Sequence, residues 1–493
     1  MANVTRGSDR AGVRIPVHKG LMQYGDSVGL DARYAADCEN ALTVQGVLQP
    51  AAACTLLDAK TPKPIRTLAR LYRRWYAPDE QHEVLIAAAG GQLYWMLPNG
   101  ERWTKLTMPY GWTESHYQSD EWSWAAYEIN AEDRDAPVDV LLMSNAQDGM
   151  LCIRGDTMAV TQIATPKKFS VIARYAERIW GGGIPDDPDM LMYSAPYDPF
   201  DWSQNDDIPE DGAGDVMQPS WDGDSFTALT PFGSQLIALK RTKVWRVMGT
   251  DPGTYVFREQ YGGGTPAPRT VAVDGSRIFM LGREGVMCYD GESTELFQQE
   301  CAQRIFARMN PAALSRATAC MWKGVYYCAV ALDESPANNA VILYDTRENT
   351  WLVRTDAQVE SFLPVEDAMY FTSAETPGRL WLWQEDGMSA GTACPMRWMG
   401  GWQDLGAPQV TKRDFTVLFS AECPEETKLS LTVETEKGLR AKTVSLTPEK
   451  NGMQRRVRFH LHGRRFRLSI ASSGTKPWRL IGGVCIEMDT EEE

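Results

Sequence analysis

Acyl-transfer chemistry needs a nucleophile with a base in hydrogen-bond reach, and histidine is the commonest base. This chain has five histidines, at positions 18, 82, 116, 460 and 462, in unrelated contexts. No Gly-x-Ser-x-Gly elbow accompanies them. Gly181-Gly182-Gly183 and Gly262-Gly263-Gly264 lack the Lys and the following helix of a phosphate loop, so they read as turns. Ten cysteines (38, 54, 152, 288, 301, 320, 328, 394, 423 and 485) are scattered without a Cys-x-x-Cys pair. Such spacing supplies no thiolate cluster for zinc, and the cysteines read as small buried apolar residues. The sequence is therefore read as non-enzymatic, with no cofactor and no metal.

Carboxylates are the stronger route to an enzyme, because a pair of them can hydrolyse a glycosidic bond. Asp186, Asp187, Asp189, Asp198 and Asp201 crowd one stretch. Asp and Asn before Pro and Gly usually cap backbone groups in turns, and that is the reading preferred here. A hard-cation site on the same oxygen-rich loop is the second reading. The Ser-x-Asp-x-Gly-x-Thr-Trp box of sialidase propellers is absent.

Two further sets of residues could bind without reacting. Arg455, Arg456, Arg458, Arg464, Arg465 and Arg467 form a basic stripe that suits phosphates, a solvated sheet face or an acidic neighbour. Of the seventeen tryptophans, Trp112, Trp122, Trp124 and Trp202 sit in stretches that read as loops, where aromatic rings often anchor partners. With Asp186, Asp187 and Asp189 they are the candidate rim-loop interaction residues.

The elements that must position these groups are strands. A run of apolar, β-branched or aromatic residues meets a Gly, Asp or Asn turn, and a second run ends on Tyr or Trp. Val84 to Ala89, Gly90-Gly91, Gln92 to Met96 is one instance; Val138 to Ser144, Asp148-Gly149, Met150 to Ile153 is another. Alternation with period two dominates, and hairpins recur at intervals of roughly 40 to 50 residues, the signature of a β-propeller. Counting the groups gives five to seven blades, with six preferred. The pattern places an extended N-terminal segment at 1–65, whose strands lie on the body or close its ring. It places the propeller at 66–396, with long rim loops near 98–137 and 183–225. An antiparallel β-sandwich follows at 397–493, where Arg456, Arg458 and His460 alternate with Val457, Phe459 and Leu461. The one helical stretch expected is Gln299 to Met309, reaching towards Leu314, with Cys301, Ile305, Phe306 and Met309 on one face. The fold class is thus all-β, a propeller followed by a sandwich.

At 493 residues and 43% hydrophobic content the chain can bury more than one core. No segment approaches the roughly 18 apolar residues of a membrane span, and the polar N-terminus lacks the apolar core of a signal peptide. The expected place of synthesis is a cytoplasm, with no membrane insertion. The net charge of −15 argues against a protein that grips nucleic acid by its phosphates. The charge is uneven. From Arg397 onward there are 16 Lys and Arg against 13 Asp and Glu, a balance of +3; residues 1–396 hold 34 against 52, a balance of −18.

The stretch Glu177-Arg178-Ile179-Trp180-Gly181-Gly182-Gly183-Ile184-Pro185-Asp186-Asp187-Pro188-Asp189, then Met190 to Ala195, then Pro196-Tyr197-Asp198-Pro199-Phe200-Asp201-Trp202 resembles a phrase of tailed-bacteriophage tail proteins. An Arg-hydrophobic-Trp strand is followed there by a glycine turn, a strand ending near Tyr-Ser-Ala and an Asp-Pro-x-Asp-Trp loop. The start (Gly20-Leu21, Asp37-Cys38-Glu39-Asn40, Gly46 to Pro50) and the opening of the sandwich (Gly401-Trp402-Gln403-Asp404-Leu405-Gly406 before Lys412-Arg413) are similar to the ends of the same proteins. The group most resembled is the tail hub, or nozzle, of short-tailed phages, with its relatives in the neck.

That resemblance implies a virion structural protein, assembled in the host bacterial cytoplasm and resident in the phage tail. It implies a homo-oligomer, a sixfold ring continuing the DNA channel below the portal and adaptor proteins, with tail fibre or spike proteins docked outside. Double-stranded DNA would pass through without specific binding, since like charge suppresses adhesion. The alternative is a glycan-binding or glycan-cleaving propeller, and a third reading is a peptide-binding scaffold.

Overall fold

The computed structural model describes the chain except residues 1–4, 8–9, 18, 26, 45, 75–81, 99, 113–120, 131–135, 219–222, 261 and 492–493. His18, His116 and the last two residues of the acidic tail, Glu492 and Glu493, fall outside the described residues, as do parts of both expected rim loops.

The fold is all-β, with seven four-stranded antiparallel sheets arranged as propeller blades. The first strands of the seven sheets are Thr67–Tyr72, Ser123–Ile129, Val171–Tyr175, Phe226–Phe232, Ala267–Asp274, Thr318–Trp322 and Ser361–Val365. Each lies beside the next, and the last lies beside the first, which closes the ring. Hairpin turns carry the chain outward through each blade. In blade one Gly90 and Gly91 both take positive φ, +62° and +74°, the backbone that a two-residue primed turn requires and that a side chain would disfavour.

The seventh blade is completed by a distant strand. Ser361–Val365, Ala368–Thr372 and Arg379–Leu382 are followed on the outside by Thr55–Lys60, with Leu382 opposite Thr55 and Arg379 opposite Lys60. Arg379 fastens this closure, its Nε donating to the Leu57 carbonyl at 2.9 Å and a guanidinium nitrogen 2.9 Å from the Asp58 carboxylate.

Six was the preferred blade number, and the structure has seven. The difference lies in the two stretches read as rim loops. Residues 98–137 contain Thr104–Lys105, the last strand of blade one, and Ser123–Ile129, the first of blade two. Residues 183–225 contain Met190–Tyr193 and Gly214–Met217, the outer half of blade three. Thr104–Lys105 and Gly214–Met217 are too short to show a period, and Ser123–Ile129, which does alternate, is flanked by charged stretches that read as loop.

The sandwich draws on both chain ends. One sheet runs Thr5–Gly7, Arg10–Ile15, Arg479–Glu491, Thr411–Glu422, Gln454–Gly463, with the hairpin Ala41–Val44 and Val47–Pro50 attached at Leu48 opposite Leu480. The other runs Ala35–Glu39, Met396–Gly400, Phe466–Ser472, Thr427–Thr435, Gly438–Leu446. Phe415, Val417, Leu431, Ile470 and Ile486 are buried between them. One continuous apolar cluster joins this core to Phe279, Tyr326, Trp351 and Phe362 of blades five to seven. The strands of residues 1–65 therefore divide, the first five entering the sandwich and the sixth closing the ring.

The expected helix is broken into Gln299–Cys301, a single α-turn Gln303–Phe306 and Pro311–Arg316. Cys301, Ile305, Phe306 and Met309 are nevertheless all buried. The first break falls at Ala302, whose backbone (φ −126°, ψ 28°) is not helical. Pro311 bars a continuous helix further on, since it has no N–H to donate, and Asn310 restarts the chain as an N-cap through its side-chain bond to the Ala312 N–H.

Candidate functional site

Blade three is built around the phrase that carries the family resemblance. Arg178 begins the strand Arg178–Gly182 and is fully buried. Its guanidinium donates to the carbonyls of Ser194 (2.8 Å), Gly212 (2.6 Å) and Glu210, so one side chain gathers both ends of residues 194–213. Trp180 is also fully buried, its Nε1 donating to the Tyr175 carbonyl at 3.2 Å and its ring 4.9 Å from Tyr193 and 5.1 Å from Tyr255. Gly181 is required by contact, since a Cβ there would stand 2.5 Å from the Phe169 ring. Phe169 in turn packs on Trp202 at 5.0 Å, and Trp202 Nε1 donates to the Pro199 carbonyl at 3.1 Å.

The aspartates of this region act mainly as braces. Asp198 accepts the Phe200 N–H at 2.8 Å, and Asp201 accepts the Ser203 N–H at 2.9 Å. The Ser203 hydroxyl and N–H hold the Asp201 carboxyl below the usual carboxylate range. Asp187 pairs with Lys167 at 2.8 Å, and Asp189 binds the fully buried Lys240 of blade four. Asp186 is exposed. Among the described residues no group of three or more His, Cys, Asp or Glu is placed to hold a metal ion.

The tryptophans correct the picture of exposed anchors. Trp202 and Trp122 are buried, Trp122 among Leu93, Leu106 and Leu141 with its N–H donating to Thr67 Oγ1 at 2.9 Å. Trp124 is half-buried inside the strand Ser123–Ile129, on the packing of blades one and seven. Trp112 is half-buried, its Nε1 3.4 Å from Gln162 Oε1. A ring inside the core cannot be offered to a partner. What the loop over blade three exposes instead is Tyr197, Phe200 and Ile208.

The basic stripe is divided between two sheets. Arg456 and Arg458 are exposed on Gln454–Gly463, the last strand of its sheet. Arg455 is half-buried and donates to the Ser445 carbonyl at 2.8 Å. The turn at 463–465 then carries the chain to the opposite sheet. There the guanidiniums of Arg465 and Arg467 lie 5.3 Å and 4.6 Å from the Trp402 ring centre, and Arg467 pairs with Glu434 at 2.7 Å. Adjacent numbers therefore do not make one face.

Two concave sites among the described residues bear on the reading. A cavity of about 230 Å³ at one mouth of the central channel is lined by Arg66, Arg269, Arg316, Glu121 and Glu360 among others. Glu360 Oε1 sits 3.8 Å from Arg66 and 3.6 Å from Arg316, while Arg269 donates to the Arg316 carbonyl at 2.9 Å. Burial lowers the Arg269 pKa. The cavity brings two carboxylates together, but its lining holds no aromatic ring for a sugar to stack on.

A larger cleft of about 630 Å³ lies where blade six meets the hairpin of residues 41–50. At its back, fully buried Arg354 pairs with Asp356, donates to the Ala52 carbonyl at 2.7 Å and stacks 4.1 Å from Trp383. Seven of the ten cysteines are buried and none is disulfide-bonded; burial pushes the thiols of Cys38 and Cys152 up to about 12.

Lys240 and Arg354 went unremarked in the sequence, and Arg178 was noted only as part of the resembling phrase, although each had a signal. Each is a lone cation inside or at the end of an apolar run: Ile179-Trp180, Leu236 to Leu239, and Trp351 to Val353. A charge in that setting must find a buried partner.

No family model matches this sequence, and no curated protein matches it. Solved structures do resemble it. One is the structure of U3-55K, at 9% identity and TM-score 0.43, covering 67% of this chain and 98% of that one. A second is BBS1N in complex with ARL6DN, at 8% identity and TM-score 0.40, covering 68% and 98%. A third is the Pan2 WD40 domain of Neurospora crassa, at 10% identity and TM-score 0.34, covering 67% and 95%. At these scores the likeness carries no argument about what the chain does.

Proposed function

We propose that the chain is a non-enzymatic structural protein of a bacteriophage tail, a nozzle or hub subunit that works as part of a ring. The observation that carries this reading is the construction of blade three. The residues that resemble tail proteins (Arg178, Trp180, Gly181 and Trp202) are the ones that build the blade and fix the loop over it. The resemblance thus lies in residues that determine shape, and it extends to a fixed outer surface of the kind that neighbouring tail proteins need. In this reading the ring continues the DNA channel below the portal and adaptor, and fibre or spike proteins dock on its outside.

The charge distribution refines how DNA would be treated. The seven innermost strands carry Arg70, Arg174 and Arg269 against Glu128 and Asp274, so the acidity of the propeller lies towards its outside. The conduit for DNA would accordingly be the space enclosed by several chains, lined by acidic outer loops that repel phosphates.

The glycan reading gains nothing specific: Glu360 at the channel mouth is shared by two arginines, and Asp187 and Asp189 are engaged by lysines. The native mass of the purified protein, alone and with a portal or adaptor protein, tests the proposal. A sixfold ring in either condition supports it. A 55.1 kDa monomer in both overturns it.

A further inference from the structure

Two one-sidedly charged surfaces of the molecule are far apart in sequence and opposite in sign. Residues 196–215, most of the loop over blade three and the start of the next strand, hold seven Asp and Glu and no Lys or Arg. The strand Gln454–Gly463 holds Arg455, Arg456 and Arg458 with His460 and His462 and no Asp or Glu, and among the described residues the one acid paired to it is Asp414 of the adjacent strand, 2.8 Å from His460. Within the first surface Asp198, Asp206, Asp207, Glu210 and Asp211 are exposed; within the second, Arg456, Arg458, His460 and His462 are exposed. Among the described residues neither Arg456 nor Arg458 enters an ion pair, and neither do those five acids.

Each surface also exposes apolar groups. Tyr197 is 72% exposed, Phe200 40% and Ile208 49%. Beside the basic strand, Leu439 is 56% exposed and Met453 58%. Leu439 opens Gly438–Leu446, the end strand of its own sheet, which Arg455 ties to Gln454–Gly463 through Ser445. The acidic loop is held in one shape by Arg178 and by the Tyr197 N–H donating to the Glu177 carbonyl at 2.8 Å. A preorganised loop loses little entropy on docking, and exposed aromatics within a charged rim are the usual composition of an interface.

We infer that the acidic loop of blade three docks on the basic edge of the sandwich of a second copy of this chain. The contact is head-to-tail, because the two surfaces differ; repeated, such a contact closes into a ring or continues as a filament. This names the subunit interface of the assembly proposed above and rests on that reading for the ring, though the pairing itself applies to any oligomer. Opposite potentials steer the encounter and set its register, while Tyr197 and Phe200 supply the apolar contact.

The test is a charge swap followed by mass photometry. One variant carries Asp206→Lys, Asp207→Lys and Glu210→Lys; a second carries Arg456→Glu and Arg458→Glu; a third carries both sets. All five positions are exposed, and a thermal melt of each variant checks that it folds. Each single-surface variant is expected to lose the wild-type oligomer. The double-surface variant regains it, and mixing the two single-surface variants restores an assembly in which the two alternate, because each loop then meets an oppositely charged edge. Raising the salt from 0.05 M to 0.5 M is expected to dissociate the wild type, because the Debye length falls to a few ångströms. A ring unchanged by either charge reversal would sink this interface while leaving the nozzle reading standing. A wild-type dimer or filament abolished by either reversal and restored by the swap would support the interface and remove the sixfold ring. A wild type that stays monomeric at every concentration, or that binds duplex DNA through Arg456 and Arg458 with its assembly unaltered, overturns the inference.

Discussion

Blade three and the junction beneath blade six each hold a fully buried arginine, and they neutralise it in different ways. Arg178 is met by three backbone carbonyls, all within 34 residues of it in sequence. Arg354 is met by the Asp356 carboxylate, the Ala52 carbonyl and the face of Trp383, and its partner Asp356 accepts from the thiol of Cys394 at 3.1 Å. The first device shapes one loop. The second binds chain segments about 300 residues apart, so the same residue type serves local form in one place and global closure in the other.

Removing Arg354 should separate the two cases most sharply. Arg354→Leu leaves the Asp356 carboxylate, whose side chain is 13% exposed, without its cation, and loss of one member of a buried pair costs up to about 3–5 kcal/mol. The expected result in a thermal melt is a large drop in Tm with the whole molecule loosened. Arg178→Leu leaves carbonyls unsatisfied but strands no charge, and should cost about 2–3 kcal/mol. Its effect should be confined: proteolysis within 194–213 rises while the other blades stay protected. Global unfolding by Arg178→Leu at the same temperature as Arg354→Leu would erase the distinction.

Acid provides a finer test. Burial pushes the Asp356 carboxyl up, but the Arg354 charge and hydrogen bonds, with Cys394, pull it further down, to a net value below the ordinary carboxylate range. A depressed folded pKa contributes stability that is present above the unfolded value and is lost as pH falls through the folded one. The junction should therefore loosen at acid pH, as should the Arg154–Asp156 pair, where Arg154 holds Asp156 at about 2. Arg178 has no carboxylate partner to protonate. Amide exchange, corrected for its intrinsic pH dependence, should show the strand Thr350–Arg354 opening on acidification before residues 194–213 do. The smallest effect is expected for Arg10→Ala: its pair with Asp489 at 3.2 Å is exposed, and such pairs are worth about 0.5 kcal/mol. A Tm change as large as that of Arg178→Leu would refute the ranking.

Much of this architecture was legible because strands announce themselves by alternation. Gly90-Gly91 and Asp148-Gly149 marked turns that the structure has, and the buried runs at Val84 and Val138 are blade strands. The reading failed where two structural demands fell on one segment. Trp122 and Trp202 stand among charges and prolines that look like loop, yet their rings fill spaces in and between blades that only the closed ring creates. The basic stripe failed for another reason: sequence adjacency cannot show that the turn at 463–465 moves Arg465 and Arg467 to the other sheet. The partnership of Arg10–Ile15 with Arg479–Glu491 has no local trace at all. Only its exposed-buried alternation was available, and that fits any sheet edge.

That partnership sets a schedule for the nascent chain. Arg10–Ile15 leaves the ribosome about 460 residues ahead of the strand it pairs with. At the synthesis rates usual for cells the wait is roughly 25 to 95 s, during which its edge has no partner. Thr55–Lys60 waits about two thirds as long for Arg379–Leu382. Six blades can form behind them, yet the ring stays open until Arg379–Leu382 arrives and the sandwich unbuilt until Arg479–Glu491 does. A protein arranged this way cannot offer its finished surfaces to a neighbour before Arg479–Glu491 has been made, which delays association until sandwich and ring are both closed.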